Sequence, residues 1–203
     1  MNPTKKKSSK RFLLPGILAV AFIVGIVGNQ YLSSKNSGAN QGMNMIGGEF
    51  TLTSEKGPVS LKDFKDKLVL ISFGYTSCPD ICPTTLAKIS SVMDSLGESK
   101  AASVQTLFIS VDPDRDTPEK THKYAAYFHP SFIGLSGTSE EIALVAQKFK
   151  AFYGKIEVES EMGYTVGHTG TTYLLGRDGV VRSFISHTST AEEFVSAIEK
   201  VLG

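Results

Sequence analysis

The chain has 203 residues, of which 41% are hydrophobic and 20% charged, enough apolar content for one domain with a real core and too much for a disordered protein. It holds two cysteines, Cys78 and Cys82, too few for a disulfide scaffold or a four-cysteine zinc site. The formal net charge is +1, but five of the 21 lysines and arginines (Lys5, Lys6, Lys7, Lys10 and Arg11) crowd the N-terminus, leaving 16 against 20 acidic residues, a balance that argues against a nucleic-acid partner.

Residues 1–11 read as a basic cytoplasmic tail. The run FLLPGILAVAFIVGIVG, residues 12–28, is uncharged, and as a helix it would span roughly 25 Å, within the range of single membrane anchors. With the basic residues held inside, everything after residue 28 crosses the membrane. A cleaved signal peptide is the competing reading. An uncleaved anchor is favoured because no clear A-x-A site follows and no cysteine lies nearby for lipid attachment. Residues 29–48, dense in Asn, Ser, Gly and Gln, read as a flexible linker.

From residue 49 to 203 the pattern is that of a folded domain. EFTLTSEKGPVSL predicts a hairpin around Gly57 and Pro58, and KLVLISFGY a buried central strand. Ile81, Leu86, Ile89, Val92, Met93 and Leu96 fall at helical spacing before a stop at Gly97. VQTLFISVD is a second buried strand; Thr117 caps and Pro118 opens the next helix. A short strand in SFIGLSG precedes the helix TSEEIALVAQKFKAFY, which opens on a capping box from Thr138 to Glu141. Residues 154–167 read as a polar connection able to form a short hairpin. TTYLLGRDGVVRSFIS turns at Asp178-Gly179, and a helix capped by Ser189 or Thr190 ends the chain. This order predicts an α/β, thioredoxin-like domain with insertions, behind a single N-terminal transmembrane helix, with the cysteines at the turn from the first core strand into its helix.

The cysteines stand four residues apart in TSCPDICPTT, a spacing that returns Cys82 to the helical face of Cys78. The helix N-terminus favours a Cys78 thiolate. Outside the cytoplasm such a pair must be kept reduced by a partner, protected by a metal or closed as a disulfide. Two thiolates favour soft ions, above all Cu(I), and an imidazole would complete a site of low coordination number. Candidate third donors are the four histidines and Met43, Met45, Met93 and Met162. Solvent-facing or capping roles suit His122 and His129. His168, before the last hairpin, and His187, after it, both remain in play, with His168 favoured.

FGYTSCPDICPTTL, ISVDPDRDTPEKTHKYAAYF, FIGLSGTSEEI and GHTGTTYLLGRDGVV, behind an N-terminal anchor, together resemble the Sco/SenC family of copper chaperones for cytochrome c oxidase assembly. The match runs from about residue 49 to 203, and the combination of C-P-D-x-C-P, D-P-x-R-D-T-P and a downstream H-T is highly specific. The resemblance implies copper, Cu(I) or Cu(II), held by Cys78, Cys82 and His168, which decides between His168 and His187. It also implies delivery to the binuclear copper site of cytochrome c oxidase subunit II, with another periplasmic copper carrier and a thiol reductant as further partners. The matching location is the bacterial inner membrane, single-pass, with the C-terminal domain on the periplasmic side. Asp80 and Asp112 match acidic positions of the family, which marks them as supports behind the ligands or as docking residues.

Two departures stand out. Gly167 replaces the acidic residue usual before the histidine and would loosen the loop carrying it, and Ser77 replaces a larger residue before the first cysteine. The alternative function is a thiol–disulfide oxidoreductase acting on cysteines of the oxidase subunit or another extracytoplasmic protein, with Cys78 attacking and Cys82 resolving. A peroxidase-like use lacks an activating Arg next to Cys78 in sequence, and a structural disulfide is the plainest reading of the pair.

Overall fold

The computed structural model describes residues 46–159 and 163–203. The anticipated anchor, almost all of the linker and residues Met43, Met45 and Met162 lie outside them. Among the described residues no helix is long and apolar enough to cross a membrane.

In chain order the elements are β1 (Thr51–Ser54), β2 (Gly57–Ser60), a 3-10 turn (Leu61–Phe64), β3 (Leu68–Gly74), α1 (Ile81–Leu96), α2 (Glu98–Ala102), β4 (Val104–Ser110), α3 (Pro118–Phe128), β5 (Ile133–Leu135), α4 (Ser139–Phe149), β6 (Tyr153–Glu157), β7 (Tyr164–His168), β8 (Thr171–Leu175), β9 (Val181–Ser186) and α5 (Ala191–Leu202). The two continuous apolar runs became β3 and β4, buried at every residue, because they lie inside a five-stranded sheet of order β5-β4-β3-β8-β9 covered on both faces. β3, β4 and β5 run parallel, while β8 and β9 are antiparallel.

Strand alternation divides the core in two. Val69, Ile71, Phe73, Leu107 and Ile109 face α4, which answers with Ile142, Val145, Ala146 and Phe149. Leu68, Leu70 and Phe108 face α1, α3 and α5, whose buried residues include Leu86, Ile89, Val92, Ala125, Phe194 and Ile198. Burying each large α1 side chain contributes about 1.5–3 kcal/mol, which roots the cysteine-bearing helix on the sheet. The result is the thioredoxin-like α/β arrangement expected.

Caps follow the predicted chemistry. Thr117 accepts from Lys120 N, and capping boxes open α4 (Thr138, Glu141) and α5 (Thr190, Glu193). Thr190 rather than Ser189 is therefore the last cap. Two boundaries differ from expectation. Helix α1 stops at Gly97 as anticipated, but the short helix α2 follows at once. Helix α4 ends at Phe149, earlier than expected, because Lys150 turns left-handed (φ 54°) and releases the chain into β6.

The polar connection does form a hairpin. β6 and β7 make a separate two-stranded sheet in which Tyr153 pairs with His168 and Gly154 with Gly167. Gly167 therefore sits in a paired strand and not in a loop, and the ladder that holds it removes the loosening expected there.

Candidate metal centre

Strand β3 ends at Gly74, and Tyr75–Asp80 turn the chain into α1, with the Cys78 amide donating to the Tyr75 carbonyl at 3.2 Å. Helix α1 begins at Ile81, after an Asp80 that makes no side-chain cap. Pro83 is tolerated because the first turn has no intrahelical use for its amide. Cys78 thus precedes the helix, and only Cys82 lies in it. The sulfurs converge because the Tyr75–Asp80 turn folds back over the first helical turn, and not because they share a helical face as the spacing suggested.

Gly74 makes room for this. A Cβ at Gly74 would lie 2.5 Å from Cys82 Sγ and 2.7 Å from the Phe108 ring, so a bare backbone at the end of β3 lets the Cys82 sulfur pack onto the sheet. Cys82 is buried and Cys78 half-buried, and both are free thiols.

His168, the last residue of β7, closes the group. Its Nε2 lies 3.3 Å from Cys82 Sγ and 3.9 Å from Cys78 Sγ, and the three donor atoms lie within 4.8 Å of one another. Its Nδ1 faces the Thr169 carbonyl at 3.3 Å. A carbonyl can only accept, so a proton on Nδ1 in that contact frees Nε2 to ligate an ion, whereas in the metal-free site a proton on Nε2 lets the ring donate to the Cys78 thiolate. The buried Tyr75 ring meets the imidazole edge-on at 5.8 Å, and its hydroxyl pairs with Thr165 Oγ1 at 2.7 Å.

The electrostatics separate the two thiols. Cys78 is held far below the ordinary thiol value, to about 3, first by a hydrogen bond from the Cys82 side chain and against the opposing effect of burial. His168 and the backbone N–H groups of Cys82 and Asp80 reinforce the shift. Cys82 is pushed up by its bond to Cys78 and by burial. Side-chain partners lead, and the helix N-terminus invoked from sequence acts through individual N–H groups. One accessible thiolate therefore sits beside a buried sulfur that keeps its proton until an ion or a reaction takes it.

The other candidate donors lie elsewhere. His187 Nδ1 faces the Gly170 carbonyl at 3.2 Å, His122 Nε2 faces Glu55 at 3.3 Å, and His129 Nδ1 pairs with Ser131 Oγ at 2.8 Å. Met93 is on the buried face of α1, packed in the core. Among the described residues Cys78, Cys82 and His168 form the one group of such donors with metal-ligand spacing.

Asp80 and Asp112 part company. Asp80 is exposed at the helix start, and its backbone N–H is directed at Cys78. Asp112 is buried and does not reach them, accepting instead from Arg115 Nε at 2.5 Å and from the Tyr164 hydroxyl at 2.8 Å. Sequence reasoning missed Asp116, which is 1% exposed and accepts from Thr76, two residues before Cys78. It also missed Tyr75 and Tyr164. Asp116 stands in the quoted DPDRDTP run, but nothing along the chain says which of its three acids points back at the cysteine loop.

The SCO1/SenC family model matches residues 38–203. A SCO2-like protein of Rickettsia prowazekii is 42% identical over 136 residues, covering 66% of this chain and 66% of its own. The copper-bound structure of Arabidopsis thaliana ScoI aligns with a TM-score of 0.72 at 35% identity, over 77% of this chain and 98% of that one. The copper-bound structure of Bradyrhizobium japonicum ScoI aligns with a TM-score of 0.69 at 41% identity, over 77% and 99%. The chain spans less than two thirds of several curated relatives, 58% of the Bos taurus mitochondrial SCO2 homolog and 41% of an Arabidopsis mitochondrial SCO1 homolog.

Proposed function

The chain belongs to the SCO1/SenC family, and from that premise we propose that it is a copper chaperone, binding Cu(I) or Cu(II) through Cys78, Cys82 and His168. The observation that carries this reading is the convergence of two sulfurs and one imidazole nitrogen within 4.8 Å. Two soft donors and one borderline donor suit copper in either oxidation state, and three protein ligands leave a position open for the incoming ligand of a receiving protein. Burial of Cys82 beside a half-exposed Cys78 gives the ion an anchored side and an open side.

The receiving protein, on the family pattern, is cytochrome c oxidase subunit II at its binuclear copper site. The segment 12–28 anchors the chain in the bacterial inner membrane, and the linker 29–48 lets a periplasmic domain reach a membrane-bound target at raised effective concentration. Another periplasmic copper carrier would load the site, and a thiol reductant would keep it open.

A second reading rests on the unequal thiols. A half-exposed thiolate at Cys78 beside a protonated Cys82 is the arrangement of an attacking and a resolving sulfur in thiol–disulfide exchange. Anaerobic Cu(I) titration of the reduced protein against a competing chelator, with His168→Ala and His187→Ala in parallel, separates the two. The chaperone reading expects one tightly held Cu(I), much weakened by His168→Ala and unchanged by His187→Ala. Absence of competitive Cu(I) binding in the unsubstituted protein would leave the exchange reading in its place.

A further inference from the structure

The sulfurs and the imidazole are carried by two bodies that share no β-ladder. Cys78 and Cys82 follow β3 in the five-stranded sheet, whereas His168 ends β7 in the separate β6-β7 sheet. The geometry of the group depends on whatever ties the second to the first.

Along β7, Tyr164, Val166 and His168 alternate onto one face. Val166 is buried in the core, and His168 reaches the sulfurs. Tyr164 lies against the loop that follows β4: its hydroxyl donates to Asp112 Oδ1 at 2.8 Å, and the Arg115 guanidinium sits 3.7 Å from its ring centroid. Arg115 also donates Nη1 to the Tyr164 carbonyl at 3.0 Å and Nε to Asp112 Oδ2 at 2.5 Å. Asp112 is 1% exposed, so this charged pair is shielded from water and its geometry is held by more than one bond. Lys155 to Asp114 adds a solvent-exposed pair at 2.5 Å, worth little by itself.

The same loop grips the cysteine segment. Val111 N donates to the Gly74 carbonyl at 2.8 Å, and Asp116 accepts from Thr76. One loop, residues 111–117, therefore holds the sulfur-bearing turn with one hand and the histidine hairpin with the other.

We propose that Asp112, Arg115 and Tyr164 form a clamp that sets the position of His168 over the two sulfurs, making Arg115 and Tyr164 positioning residues for the metal site. Its bearing on copper rests on the reading above; its bearing on where His168 sits does not. Breaking the clamp removes one tie of the β6-β7 hairpin, leaving the Tyr75–Thr165 bond and the buried Val166, and so loosens the imidazole while both sulfurs stay in place.

The test uses Tyr164→Phe, which keeps the ring and removes the bond to Asp112, and Arg115→Met, which keeps length and removes the cation. In the reduced, metal-free protein, the clamp predicts about tenfold loss of amide-exchange protection in β7 with β3 and β4 unchanged. It also predicts weakening of the proton NMR contact between the Tyr75 and His168 rings. With Cu(I), affinity falls by about tenfold or more, and the fall vanishes when either substitution is combined with His168→Ala. Unchanged β7 exchange and an intact Tyr75–His168 contact in both variants would overturn the proposal. So would an affinity loss equally large with and without His168, since the cluster would then act on the cysteines or on the whole fold. Should the unsubstituted protein bind no Cu(I), the copper reading fails, and the exchange and ring-contact measurements still decide the clamp.

Discussion

Asp116 and Thr76 are forty residues apart in sequence, and one carboxylate holds the other residue by both backbone and side chain: Thr76 N at 2.8 Å and Thr76 Oγ1 at 2.5 Å. Ser110 Oγ donates to the same carboxylate at 2.7 Å and Lys120 Nζ at 3.1 Å. The turn bearing Cys78 is thereby tied to the end of β4 and the start of α3. A buried acid with this many donors is costly to remove, because the donors lose their acceptor inside the protein.

Asp116→Ala is expected to destabilise the reduced, metal-free protein by about 1–3 kcal/mol, the penalty for stranding buried donors. Asp114→Ala removes an exposed pair with Lys155 and should cost much less than Asp116→Ala. Urea unfolding of the two variants under reducing conditions gives the comparison. Equal effects would mean that Asp116 is dispensable to the cysteine turn.

Gly74→Ala places a methyl group where Cys82 Sγ and Phe108 already stand. The sulfur has to move, so Cu(I) affinity should fall, and overpacking should cost about 1–3 kcal/mol of stability. Gly154→Ala is the control, because a Cβ there meets nothing within 4 Å. Competition titration and thermal melting of both proteins check the difference.

The depressed Cys78 value makes stability depend on pH in a definite direction. Between about 3 and the ordinary thiol value of 9.0, the unfolded chain carries a proton on Cys78 that the folded protein lacks. This contribution to stability therefore grows as pH rises through that window, is complete above 9.0, and is lost as pH falls toward 3. The raised Cys82 acts oppositely and only above its unfolded value, where the unfolded chain ionises and the folded one does not. Denaturation of the metal-free protein from pH 5 to 8 should show a stability advantage over Cys78→Ser that widens with pH. A constant gap would place the Cys78 thiolate outside the folded state.

Because Cys82 holds its proton in the metal-free site, loading Cu(I) at neutral pH should release about one proton per ion. An indicator dye in weakly buffered anaerobic solution reads this directly. Cys82→Ser should abolish the release. Release that persists in that variant would assign the proton to another group.

Most of the sheet and helices could be read along the chain because their signals are local. The apolar runs of β3 and β4, the 3.6-residue spacing of α1 and the capping boxes of α4 and α5 are each set by neighbours a few residues away. The early end of α4 was hidden because Lys150 adopts a left-handed conformation that its residue type rarely takes, and α2 was hidden behind a glycine that reads as a stop. The cysteine pair and His168 could be read as a group only through their resemblance to a family, since residue types and spacing alone left His187 open.

By itself the sequence determined that two thiols would meet at the head of a helix rooted on a buried sheet, since the strand, the turn and the helix are contiguous. Only the tertiary structure decided the rest: that Gly74 is the space Cys82 occupies, that Asp116 holds the sulfur turn, and that Asp112 and Arg115 meet Tyr164 of the histidine hairpin. The Asp116–Thr76 and Asp112–Tyr164 contacts join residues 40 and 52 positions apart, and the approach of His168 to Cys78 joins residues 90 apart. Their energies come from burial and hydrogen-bond geometry that no local pattern encodes.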